Sequence, residues 1–401
     1  RYGANSQARV NVNIRRRETK VEGLTFGLNT NWQQGESVNT LIWDNSTNGL
    51  YGTYEGAATR TKQLVGTVDP YVEYTTSGGT RHSLRNRWQH LNNDNDNGQG
   101  NRSDVVYSEY QMQRRVEEGN LAGLTLTSGL MHQWTLGQAE LYSGGEAGGI
   151  NRARNVSAYM QADHKLGERL NLSAGGRFEH FSINQNTASK PVFRAGLNFQ
   201  PAEATWIRAS AGQGFRFPTI AEKFIRTGLG ILQVYPNDSL RPETAINLEA
   251  GVKQGFQLGE FRGFLDVAAF FQEYDDFIEF TFGPWVVHAE DIPFPTSAEE
   301  SLRSQGIGFR SLNTGKSRVT GTEASVMGQG NVGNVTLNLL AGYTYTVPVS
   351  LTPFYNYDPE GLSPTPITFD TTSYDPTNNI LKYRSQHLVR LDLEAQTSKG
   401  F

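Results

Sequence analysis

Residues Val335 to Tyr345 read VTLNLLAGYTY, and the alternation in that run restricts the chain more than any other feature. Val335, Leu337, Leu339, Ala341, Tyr343 and Tyr345 fall on one face of an extended strand. Thr336, Asn338, Gly342 and Thr344 fall on the other, with Leu340 the exception. Successive side chains of a strand point to opposite faces, so this is a period of two with an aromatic pair at its end. It is also long enough to cross a bilayer, for which a tilted strand needs about 9–11 residues. The same faces recur in Val10-Val12-Ile14, Leu24-Phe26-Leu28, Leu170-Leu172-Ala174, Phe193-Ala195-Leu197-Phe199 and Val389-Leu391-Leu393.

A soluble antiparallel sheet alternates too, and the connections decide between the two. Fifteen strands are predicted at 7–17, 22–35, 59–75, 80–91, 104–116, 121–136, 152–166, 169–183, 190–200, 204–216, 243–255, 260–282, 308–329, 334–347 and 380–397. Short turns at 18–21, 76–79, 117–120, 167–168, 201–203, 256–259 and 330–333 take turns with mostly longer loops at 36–58, 92–103, 137–151, 184–189, 217–242, 283–307 and 348–379. A membrane barrel sorts its connections in this way, with tight turns at one rim and long loops at the other. A sandwich or jelly roll has no reason to. The predicted fold is therefore all-β, a transmembrane antiparallel β-barrel, with residues 1–401 as part of one barrel domain. Composition agrees. Only 37% of the chain is hydrophobic and no apolar run reaches 18 residues, so no helix is expected to span a bilayer. A barrel shows lipid only every second residue, and 21 Phe, 17 Tyr and 6 Trp suit its interfacial girdles.

Several chemistries find no support. A net charge of −4 does not suggest nucleic acid, and without cysteine there is neither a disulfide framework nor a thiolate metal site. The seven histidines are scattered, and His288-Ala-Glu290 has no second His or Cys near it, so no metal site or cofactor is expected. Asn92 to Gly98 with Asp104 has some likeness to an oxygen-rich Ca²⁺ loop. With Gly98 as the turn glycine, however, Asn93 and Asp104 would be the first and last ligands, and Asp94 and Asp96 fall out of phase. A Ser-His-acid set is recognised by geometry and not by counts, so no catalytic residue is named. An outer-membrane hydrolase stays open as an alternative, as does a passive porin-like or structural barrel.

Three blocks narrow the reading. Gly214 to Glu222 reads GFRFPTIAE and is followed by Pro236 to Glu243, PNDSLRPE; Asn313 to Glu323 reads NTGKSRVTGTE; Tyr383 to His387 reads YRSQH, with Ser385 where proline is usual. In order and spacing the chain resembles the TonB-dependent outer-membrane receptors. That resemblance implies a 22-stranded barrel of which about 15 strands are present, with an N-terminal plug domain and closing C-terminal strands outside this sequence. It implies import of a scarce nutrient, a metal–siderophore complex first among the candidates, across the outer membrane of a Gram-negative bacterium. TonB and its inner-membrane energy-coupling complex would be partners, acting through the absent N-terminal region. Outer-membrane lipid surrounds such a barrel, and a surface-exposed substrate-binding lipoprotein remains open as a further partner.

The loops after Phe217 carry Phe224, Arg226, Tyr235, Arg241, Trp285, His288, Phe294, Phe354, Tyr355, Tyr357 and Tyr374. Aromatics mixed with arginine suit flat or anionic ligands through stacking and charge-assisted hydrogen bonds. Substrate contacts are expected at Arg226, Tyr235, Arg241, Trp285, His288, Tyr355 and Tyr357; the alternative is that such aromatics pack together and hold the loops down. A helical turn is expected over Thr219 to Phe224, with Ile220, Phe224, Ile231 and Leu232 packing the loop. Parity also puts Arg177, Arg194 and Arg208 on the lumen face of three consecutive strands. There they are expected to form a basic stripe answered by plug carboxylates.

Overall fold

The computed structural model describes residues 5–40, 58–229, 232–285, 306–358, 361, 363, 365–373, 375–382 and 384–397. The chain begins with ten strands in succession. They are β1 (Ser6–Arg17), β2 (Leu24–Thr40), β3 (Ala58–Thr75), β4 (Arg81–Asn95), β5 (Asn101–Arg115), β6 (Leu124–Ala139), β7 (Ile150–Leu166), β8 (Leu170–Ile183), β9 (Asn186–Ala202) and β10 (Thr205–Arg216). Next come helix α1 (Ile220–Phe224), the short strands β11 (Thr227–Leu229) and β12 (Leu232–Tyr235), then β13 (Glu243–Leu258) and β14 (Phe261–Asp275). The remainder is β15 (Ile278–Pro284), β16 (Ile307–Asn313), β17 (Ser317–Val332), β18 (Val335–Ser350), helix α2 (Phe369–Thr372) and β19 (His387–Thr397).

Fifteen of these strands form one antiparallel sheet in the order β1 to β10, β13, β14, β17, β18, β19. The register sorts the two faces. Leu339 lies opposite Leu393, Ala341 opposite Leu391 and Tyr343 opposite Val389, while Leu340 faces Asp392 and Gly342 faces Arg390. Asn338 donates to Glu394 across the same polar face at 2.9 Å. On β8 and β9, Leu172 opposes Leu197 and Gly176 opposes Phe193 on the apolar face; Asn171 opposes Asn198 and Gly175 opposes Arg194 on the polar one. Val389 and Leu391 are 72% and 70% exposed, so the apolar face is unpartnered along its length. Each such side chain gains about 1.5–3 kcal/mol on leaving water, which a bilayer supplies.

The polar face lies on the inside of the wall's curve. Strands two apart are separated by about 9–10 Å, yet their polar side chains meet across the strand between. Tyr159 on β7 donates to Glu109 on β5 at 2.8 Å and accepts from Gln111 at 3.1 Å. Between them sits Gly129, where a Cβ would come within 2.5 Å of the Tyr159 ring. Arg194 reaches Gln161 across Gly175 in the same manner. Arg208 reaches Asp266 at 2.7 Å past Gly251.

The sequence expectations differ from the structure in several places, and the loop expected over 184–189 is a two-residue turn between Ile183 of β8 and Asn186 of β9. The strand predicted over 260–282 is two, because Asp276 takes the left-handed conformation (φ 53°) and turns the chain out of the wall. The strand predicted over 308–329 also divides, at Thr314-Gly315-Lys316, with Gly315 at φ 78°. The last strand begins at His387 and not at 380. The two released pieces, β15 and β16, join β11 and β12 in a second sheet, ordered β11, β12, β16, β15, in which β12 and β16 run parallel.

Candidate ligand platform at the long-loop rim

The rim is built from the motif residues upward. Thr219 caps α1, its hydroxyl accepting from Glu222 N at 3.1 Å while the Glu222 carboxylate accepts from Thr219 N at 2.8 Å. This reciprocal box satisfies donors that a helix start otherwise leaves open. Arg216, the last residue of β10, grips the same Glu222 with two bonds of 2.9 Å and Glu243 with bonds of 2.8 and 3.2 Å. Glu243 also accepts from Ile278 N at 3.0 Å. One guanidinium thus ties together β10, α1, β13 and β15. The helical turn expected over Thr219 to Phe224 is present. Its Ile220 and Phe224 join Phe217 and Ile183 in a buried cluster on the inner side of β7 to β9, and Phe217 stacks on Phe181 with centroids 5.8 Å apart. Ile231 and the Leu232 side chain lie outside the described residues.

Lys223 is 1% exposed, and its ammonium donates to the carbonyls of Asp238 and, at 3.0 Å, Leu240. Burial pushes its pKa below the ordinary lysine value, with the Asp238 charge acting against it. Asn237 donates to Ser311 O at 2.9 Å. Asn313 accepts from Arg241 N at 3.0 Å and donates to Arg241 O at 3.0 Å and Asp276 O at 2.8 Å. Polar residues of the first two blocks therefore converge on one clasp at the loop bases.

Above the clasp, Tyr235, Trp285, Leu312, Tyr357, Ile367, Phe369 and Leu381 form a second buried cluster between the small sheet and the 351–382 loop. Trp285 donates to Gly308 O at 3.2 Å. Burial raises the Tyr357 hydroxyl's pKa, and the Glu279 charge adds to it. Of the expected contact residues, Tyr235, Trp285 and Tyr357 lie in this cluster, and Arg226 is half-buried where its N–H donates to Leu141 O at 2.6 Å. Arg241 and Tyr355 stay exposed and adjacent: Arg241 holds Asp276 at 2.6 Å, with the Tyr355 hydroxyl 3.5 Å away. The hydrogen bond to Asp276 keeps the Arg241 pKa above its usual value. His288, Phe294 and Tyr374 lie outside the described residues.

Sequence reasoning passed over a further aromatic group. Phe280 stacks on Phe309 with centroids 4.9 Å apart, and Phe282 meets the same ring edge-on at 5.2 Å. Together with Pro366, Ile367 and Lys382 they line a cavity of about 720 Å³. The alternation Ile278-Phe280-Phe282 was the available signal, masked by reading the segment as a continuation of the wall. In the Asn92 to Gly98 segment, Asp104 is held by His90 at 2.7 Å and Arg102 at 2.8 Å, and Asp96 accepts from Arg60 N at 3.0 Å.

Arg177, Arg194 and Arg208 do share the polar inner face, but the charge argument for a basic stripe needs correction. Arg177 is paired with Glu179 and lies over the Tyr159 ring. Arg208 is paired with Glu249 at 3.0 Å and Asp266 at 2.7 Å. Arg194 bonds Gln161, which itself donates to Asp163 at 2.8 Å. The wall supplies its own carboxylates: Glu179 from the same strand as Arg177, Glu249 from the strand beside Arg208, and Asp266 from two strands away past Gly251.

The family described as TonB dependent receptor-like, beta-barrel, matches residues 2–396. Lactoferrin-binding protein A of Neisseria meningitidis is 27% identical over 172 residues, which take in 36% of this chain and 17% of that protein. Among solved structures, the FrpB iron transporter of Neisseria meningitidis superposes with a TM-score of 0.61 at 14% identity, over 87% of this chain and 53% of that one. The ferric enterobactin receptor mutant of Pseudomonas aeruginosa gives 0.64 at 13% identity, over 86% and 52%. The chain thus spans about half the length of these solved relatives and less of the curated one. With a wall of fifteen antiparallel strands, an apolar outer face and loops gathered at one rim, the chain belongs to the TonB-dependent receptor β-barrel family of the Gram-negative outer membrane.

Proposed function

We propose that this chain is the wall and ligand-reading rim of an energy-coupled importer whose cargo is a metal–siderophore complex. The observation that carries the reading is the rim itself. Exposed Arg241 and Tyr355 and the Phe280, Phe282 and Phe309 group sit on a clasped platform above a polar lumen, and arginine with aromatic faces suits a flat, anionic complex. In this reading Tyr235, Trp285 and Tyr357 hold the loops, and ligand contact falls to their exposed neighbours. Arg226 acts at the platform's edge. A plug domain from the part of the polypeptide preceding residue 1 fills the lumen. TonB and its inner-membrane complex pull on that plug, and a surface lipoprotein is compatible with delivery to the rim.

The test is uptake of radioactive iron(III) complexes by iron-starved cells carrying the full-length receptor. Uptake of one siderophore class should require TonB and an energised inner membrane. Arg241→Ala and Phe280→Ala should each weaken surface binding about tenfold, with the receptor still assembled. Uptake that persists without TonB, together with free diffusion of small sugars through the resting receptor, would support a porin-like channel in its place.

A further inference from the structure

The lipid-facing side of β6, β7 and β8 changes character along one line. Toward the short-turn rim it is apolar: Leu130, Ala158 and Phe178 lie side by side across the three strands, Leu130 62% and Phe178 51% exposed. The next outward positions toward the long-loop rim are His132, Val156 and His180, followed by Trp134, Arg154 and Ser182. Residues two apart on a strand share a face, so both imidazoles and the guanidinium stand on the same outer surface as Leu130 and Phe178. The long loops of such a barrel are extracellular, which puts this line at the headgroup boundary of the outer leaflet.

Arg154 differs from other arginines of that face. Arg60 is held by Glu36 at 3.2 Å, Arg102 by Asp104 at 2.8 Å, Arg318 by Glu273 at 2.7 Å, and Arg152 by Glu146. Arg154 is exposed and has no carboxylate partner among the described residues. Its Nε donates to His132 Nε2 at 3.2 Å. That bond leaves both terminal nitrogens of the guanidinium open, and it fixes His132 as the tautomer with its proton on Nδ1. On the other flank Ser189 Oγ lies 2.7 Å from His180 Nδ1, and Nε2 of that ring has no partner among the described residues. His132 and His180 are on strands two apart, about 9–10 Å across the wall, with Arg154 on the strand between them. An open cationic fork is thus bordered by an imidazole on each side.

We propose that Arg154, His132 and His180 bind the phosphate of an outer-leaflet glycolipid whose acyl chains lie along Leu130, Ala158 and Phe178. A guanidinium fork matches two phosphate oxygens at once, and charge-assisted bonds are the strong ones. The apolar ground below selects a lipid over a free anion. Ala158 between two large side chains leaves a trough, and it runs on over Gly176 to Ala162 and Ala174. Trp134, directly beside Arg154, has the apolar body and polar N–H that suit the boundary itself. The site lies on the outside of the wall and does not depend on the cargo.

The test is native mass spectrometry of the full-length receptor, stripped of lipid in detergent and titrated with lipid A carrying both phosphates. Arg154→Gln, and His132→Gln combined with His180→Gln, should each weaken binding about tenfold. Arg154→Lys keeps the charge without the fork and should fall between, while Arg318→Gln should bind as the parent does. Heat-modifiability checks that each variant has assembled. Lipid A with both phosphates removed should bind the parent about tenfold more weakly, an arm that needs no variant. Inorganic phosphate in about a hundredfold excess should not displace the lipid, because it lacks the apolar contacts. Arg154→Gln within twofold of the parent would overturn the proposal. So would equal binding of the dephosphorylated lipid, which leaves only an apolar belt, or displacement by inorganic phosphate, which leaves only an anion site.

Discussion

Asn313→Ala is the sharpest single perturbation of the clasp. The amide makes three bonds to main-chain groups of two other segments, at 3.0, 3.0 and 2.8 Å, and the residue is 8% exposed. Alanine removes all three and leaves one N–H and two carbonyls with little access to water. At about 1 kcal/mol net for each bond the loss is about 3 kcal/mol, and desolvated orphan groups push it upward. Roughly two orders of magnitude in the local opening equilibrium follow. Hydrogen exchange followed by mass spectrometry on the full-length receptor would read this directly. Peptides covering 232–243 and 276–285 should exchange about a hundredfold faster, while those from β1 to β9 stay unchanged, because the loop base opens without the wall. Asn313→Asp keeps the acceptor but turns both donations into repulsions between a carboxylate and carbonyls, so it should rescue nothing. Unchanged exchange at 232–243, or a uniform rise across the wall, would refute the reasoning.

Phe369→Ala empties the centre of the upper cluster, where Phe369 is 0% exposed, and should cost that loop about 3–5 kcal/mol. Limited proteolysis should then cut within 351–386 at concentrations that spare the parent, with heat-modifiability of the wall unaffected. Leu391→Arg on the apolar face should lower the yield of assembled receptor, at a cost of about 2–4 kcal/mol near the bilayer midplane, whereas Asn338→Arg on the polar face should assemble normally. The buried pair Glu279–Lys382, 3.9 Å apart, offers a pH test. Burial raises the Glu279 carboxyl above its ordinary 4.5, so the docked loop binds that proton more tightly than the undocked one. Docking measured by protease protection should therefore weaken as pH climbs from 4.5 through the raised value. Glu279→Gln, which fixes the uncharged form, should abolish that pH dependence and dock at neutral pH as well as the parent or better, whereas Lys382→Met leaves the Glu279 carboxylate without its partner and should weaken docking.

What could be read from the chain follows from which interactions are local. Period-two alternation is a property of single strands, so the fifteen wall strands and their two faces were visible in runs such as Val335 to Tyr345. The helical turn at Thr219 was visible too, because a capping box spans only four residues. The second sheet was not. Its strands come from connections more than 70 residues apart, and β12 pairs with β16 in parallel, which no hairpin signal announces. Asp276 and Gly315 carried the break signals, but each stood inside a run whose alternation continued on both sides. The partners of Arg208 were hidden for a similar reason. Parity tells which face a charge occupies, but the carboxylate that answers it depends on register and on the missing side chain of Gly251.

The second sheet also bears on how such receptors can diversify. Its four strands are contributed by two separate wall connections, and the parallel β12–β16 pairing together with Asn237 and Asn313 joins them. Recombination that exchanged residues 217–242 alone would bring β12 to a β16 with which it had not co-varied, and would split the clasp between two parents. Exchange of everything from 217 to 316 would carry the sheet across intact. Ligand specificity at this rim should therefore be inherited as one cassette, with viable crossovers in the wall strands that flank it and not between its loops.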